Sequence, residues 1–86
     1  MNRSAFTLEE DMNTLAALLS TARLVETLER YLREIQAATT ARALENAFYL
    51  ALGYVQALKD MKYLSDTQAP EVRDLMFRAK QRCVIK

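Results

Sequence analysis

The chain has 86 residues, a net charge of +1, one Gly, one Pro, one Cys, no His and no Trp. That length fits a single domain, 1–86, with a small core that removes only about 60–65% of the unfolded chain's surface from water. Ala and Leu supply 13 residues each, and this wealth of helix formers beside so few turn residues excludes sandwiches, barrels and βαβ folds.

The first six residues read as a short arm. Thr7 then reads as an N-cap, with Glu10 three residues later completing a capping box. Glu9, Glu10 and Asp11 suit the positive end of a helix dipole. Apolar residues follow at Leu8, Met12, Leu15, Leu19, Ala22, Val25, Leu28, Leu32 and Ile35, in the steps of three and four that make one helical face. The other face carries Glu26 with Arg30 and Glu29 with Arg33, acid first, at the spacing that supports a helix by roughly 0.2–0.5 kcal/mol per pair. The expectation is one helix over 8–38. A break at Ser20-Thr21 is open, with no Gly or Pro to enforce it.

Thr39 and Thr40, both β-branched and able to cap, mark the next boundary. A second helix is expected over 41–64. From 43 to 58 its only polar side chains other than Tyr are Glu45, Asn46 and Gln56, so it is apolar almost all round. Such a helix is buried on every side or spans a membrane, and the nine residues of 47–55 fall far short of the ~20 that a span needs. Gly53 disfavours this helix by roughly 1 kcal/mol against Ala. It marks either a close helix crossing or a neutral position.

The run 65–70 is the clearest loop, and Pro70 suits the first turn of a third helix over 70–83. Val72, Leu75, Met76 and Ala79 share one face of it, with Cys83 a turn beyond as a small apolar residue rather than a reactive thiol. Its basic residues Arg73, Arg78, Lys80 and Arg82 gather toward the C-terminal end, where the dipole favours them. The expected fold is therefore all-α: a long antiparallel hairpin with a shorter third helix, assembling into a helical bundle as a homodimer.

Catalysis and metal binding have little to work with. No His is present, and one Cys cannot build a zinc site or an internal disulfide. The carboxylates lie on charged helix faces beside Arg, which is how solvated surface looks. No catalytic residue, cofactor, metal or small-molecule substrate is expected, and no enzyme activity. Acidic residues at 9–11 stand where a secretory leader needs an apolar stretch, so the expected location is cytoplasmic, away from membranes.

The informative feature is the second helix. Two neighbouring helices cover about two of its sides, which leaves an apolar, Tyr-bearing surface for another chain. Phe48, Tyr49, Leu52, Tyr54 and Val55 are the expected partner or dimer interface. The expected function is non-catalytic protein–protein interaction, as a small adaptor, regulator or secretion-type chaperone, by bundle completion or helix-in-groove docking. The alternative is a transcription or nucleoid modulator whose third helix uses Arg73, Arg78, Lys80 and Arg82 on DNA, another nucleic acid or a DNA-bound partner.

Overall fold

A computed structural model describes residues 7–85, so the expected arm over 1–6 lies outside the described residues. The chain is all-helical: α1 (Leu8–Leu18), α2 (Ala22–Ala37), α3 (Ala41–Asp60) and α4 (Gln68–Arg82). The capping box at the start of α1 is formed, with the Glu10 N–H donating to Thr7 Oγ1 (3.1 Å) and the Thr7 N–H to Glu10 Oε1 (2.8 Å). Thr40 caps α3 by accepting from the Ala43 N–H at 3.0 Å, as its hydroxyl suggests.

The expected 8–38 helix is broken, and this is the main correction to the sequence reading. Leu19 and Thr21 adopt extended backbone between α1 and α2. A straight helix over 8–38 would run about 46 Å, whereas the folded chain is 38 Å in its longest dimension. The break turns α1 back so that Leu15 and Leu19 enter the same core as Leu28, Leu32 and Ile35. Its loose end is held by Gln68, whose Nε2 donates to the Leu18 carbonyl at 3.0 Å.

The second helix ends four residues earlier than expected, at Asp60. Lys62 takes φ of 70°, the Tyr63 N–H donates to the Leu58 carbonyl (2.8 Å) and the Lys62 N–H to the Lys59 carbonyl (3.0 Å). This is a Schellman C-cap with Lys where Gly is usual. Lys62→Gly is expected to stabilise the fold by about 1 kcal/mol, because a side chain in the left-handed region costs roughly that much. Urea denaturation gives the answer, and an unchanged or lower midpoint contradicts it.

Residues 65–70 are less of a loop than expected. Ser65 and Gln68 exchange backbone-to-side-chain hydrogen bonds at 3.0 Å each, which caps the start of α4 two residues before Pro70. Of the two readings of Gly53, the structure favours the neutral position within the chain. It is exposed, and a Cβ there would meet nothing within 4 Å, so no helix crosses it within the chain. Gly53→Ala should therefore raise stability by about 0.5–1 kcal/mol through helix propensity alone. Thermal unfolding tests this, and a loss would mean that a close neighbour is present.

Helices α2 and α4 form the middle of the molecule: each packs against the other and against both α1 and α3. Among the described residues α1 and α3 have no contact with each other, so they lie on either side of the α2–α4 pair. Helix α3 buries Phe48, Ala51, Val55 and Leu58 against that pair. No helix covers its opposite side.

Candidate interaction surface

The sequence placed five residues of α3 at an interface, and the structure separates them. Phe48 and Val55 are buried in the chain's own core, at 2% and 1% exposure, and are not available to a partner in the folded chain. Their places at the interface are corrected on that ground. Leu52 is half-buried against the core, and Tyr54 is half-buried with its ring 5.2 Å from that of Tyr31 on α2. Tyr49 is exposed at 63%, with its ring 5.6 Å from that of Phe48.

The flank of α3 beside its buried face carries a different set, of which Ala47 and Tyr54 pack against the core. Ala43, Ala47, Leu50, Tyr54, Ala57 and Met61 follow one another in steps of four, three, four, three and four residues. That is a seven-residue apolar repeat, the pattern of a helix that packs along another helix. Ala47, Tyr54 and Ala57 are half-buried and Ala43 is exposed. The two largest residues on the solvent side, Leu50 and Met61, are 60% and 57% exposed. The signal was present in the sequence. It was masked because a second apolar repeat, ending in the core, runs along the same helix.

At the C-terminal end of this stripe lies an open, mostly apolar groove of about 330 Å³ between α2 and α3. Leu24, Tyr54, Leu58, Met61 and Tyr63 line it, with Thr21 and Arg23 at its edge. The left-handed turn at Lys62 ends the helix here and leaves both Met61 and Tyr63 exposed.

The expected basic surface on α4 is largely engaged within the chain. Asp11 has no exposed surface. Arg78 Nη1 donates to its Oδ1 at 2.9 Å and Arg82 Nη1 to its Oδ2 at 2.6 Å. Arg82 Nε also donates to Gln36 Oε1 at 2.8 Å, so one carboxylate joins α1 to α4 and α4 is joined to α2. Two opposed cations make a buried carboxylate tolerable, since an unpaired one would cost several kcal/mol. Lys80 Nζ sits 4.6 Å from the centre of the Phe48 ring, a cation–π contact, and Arg73 is half-buried. Arg78, Lys80 and Arg82 therefore do not form a row of cations facing solvent, which corrects the proposed anion-binding patch. Asp11 suits the helix dipole, yet its spacing from Leu8 and Leu15 also puts it on the apolar face of α1.

Comparison of the chain with protein-family models, curated proteins and solved structures gives no match. The functional reading therefore rests on geometry. Among the described residues there is no cluster of three or more potential metal ligands. Among the same residues no helix is long and apolar enough to cross a membrane. Cys83 is half-buried, with its Sγ donating to the Ala38 carbonyl at 3.2 Å, which suits a helix-end packing residue.

Proposed function

We propose that this protein is a non-catalytic interaction module, of the small adaptor, regulator or chaperone kind, that binds through the outward stripe of α3. The observation that carries this reading is a seven-residue apolar repeat on the flank of α3 beside its buried face, with Leu50 and Met61 largely exposed. Ala47 and Tyr54 already pack against the core, but Leu50 and Met61 gain nothing in an isolated chain, and covering the stripe removes them from water. Burying a side chain of that size contributes about 1.5–3 kcal/mol, so a few such residues supply useful affinity. The nucleic-acid alternative is weakened because Arg78 and Arg82 bond to Asp11 and Lys80 packs on Phe48.

Leu50→Glu tests the reading, because an exposed position tolerates the charge with a stability change within about 0.5 kcal/mol. The wild-type and variant chains are immobilised and offered both the purified wild-type chain and an extract of the source cells. The wild type is expected to retain a binder that the variant loses, while both show the same helical circular dichroism. Equal retention by the two contradicts an interface on α3.

A further inference from the structure

The α3 stripe has a property that selects among its possible occupants: it complements itself when reversed. Its six positions are symmetric about a point between Ala51 and Gly53, so a second α3 laid antiparallel brings 43 opposite 61, 47 opposite 57 and 50 opposite 54. Small residues then meet large ones at the ends, Ala43 against Met61. Ala47 meets Ala57 on either side of the centre, and Leu50 faces Tyr54 beside it.

The rim charges complement each other in the same arrangement. Arg42 and Asp60 are exposed, lie at opposite ends of α3 and flank the same edge of the stripe, eighteen residues apart. At 1.5 Å of rise per residue they are about 27 Å from each other within one chain and cannot pair there. A two-fold axis across the middle of the stripe keeps each edge facing its own copy. It therefore sets Arg42 of one chain within about 3 Å along the axis of Asp60 in the other, twice over. In a parallel pair each edge would face the other copy's opposite edge, so Arg42 and Asp60 would not be brought together. We infer that the partner of this face is a second copy of the chain, docked antiparallel through α3 with Arg42–Asp60 pairs closing both ends. This inference rests on the reading of α3 as an interface and adds the occupant, its direction and its register.

Sedimentation equilibrium on the full chain tests it with four samples besides wild type: Arg42→Glu, Asp60→Arg, an equimolar mixture of those two, and Leu50→Glu. Wild type is expected to dimerise. Each single charge reversal should weaken the dimer roughly tenfold, because two rim attractions become two repulsions, each a modest effect. The mixture should regain near-wild-type affinity as a heterodimer, since reversing both members restores opposite charges at both ends. A wild type that stays monomeric at hundreds of micromolar overturns the second copy as occupant, without touching the reading that α3 binds another protein. A dimer abolished by Leu50→Glu but not rescued in the mixture overturns the antiparallel register and keeps the face. A dimer that survives Leu50→Glu overturns both.

Discussion

Replacing Asp11 with Ala is expected to remove about 3 kcal/mol of folding stability, at the lower end of the 3–5 kcal/mol typical of breaking a buried ion pair. The loss arises less from the missing attraction than from what remains. Arg82, with only 10% of its side chain exposed, would be left without the carboxylate it bonds at 2.6 Å. Arg78 is 32% exposed and can turn to water, which is why the lower end applies. A chain of 86 residues has a total stability of roughly 4–13 kcal/mol, so this single change could consume much of it. The effect should begin locally. Among the described residues helix α1 packs on α2 and α4, and the Asp11 cluster ties it to α4 beside the Gln68–Leu18 hydrogen bond. Amide exchange in α1 should therefore rise before the rest of the molecule opens. Replacing the whole cluster, with Asp11→Leu, Arg78→Met and Arg82→Met together, should recover most of the loss, since an apolar set of similar volume leaves no charge stranded. A urea-denaturation loss below about 1 kcal/mol for Asp11→Ala would show that the guanidinium groups resolvate freely.

Phe48→Ala is expected to cost about 3–5 kcal/mol, the range for truncating a buried aromatic ring. Phe48 is 2% exposed, and its ring meets the edge of Phe77 at 4.8 Å between centroids. Lys80 Nζ closes over it, so the truncation removes a contact between α3 and α4 as well as a buried apolar group. Because Phe48 belongs to the chain's own core, the lost stability should be the same at low and high protein concentration. A loss visible only at concentrations where the protein associates would put Phe48 at an interface after all.

The parts of the fold written in short-range chemistry were legible in the sequence. Thr7 and Glu10 announce the start of α1, Thr39-Thr40 marks the boundary before α3, and the spacing of Leu28, Leu32 and Ile35 gives the buried face of α2. What escaped was decided by contacts distant in the chain. Nothing between Leu18 and Ala22 forbids a helix, and the break exists because α1 must return to α4, where Gln68 and the two arginines receive it. The left-handed Lys62 escaped because the usual marker of such a turn is Gly. At the candidate site the sequence marks the right helix but not which of its apolar residues stay exposed. A helix apolar all round carries two overlapping repeats, and only its packing against α2 and α4 shows that Phe48 and Val55 face inward while Leu50 and Met61 face out. The basic residues of α4 misled for the opposite reason: their counter-charge lay more than sixty residues away on α1.

The central claim is that the outward face of α3 becomes covered when the protein associates, and the methionines report on it directly. Met61 is exposed on that face, Met12 is half-buried on α1 at the far side of the molecule, and Met76 is fully buried. Their oxidation by dilute peroxide, followed by peptide mass spectrometry, separates the three sites in one sample. As concentration rises from low micromolar to hundreds of micromolar, oxidation of Met61 should slow markedly while that of Met12 stays constant and Met76 remains slow throughout. A Met61 rate that does not change with concentration, in samples where light scattering shows association, would contradict the account.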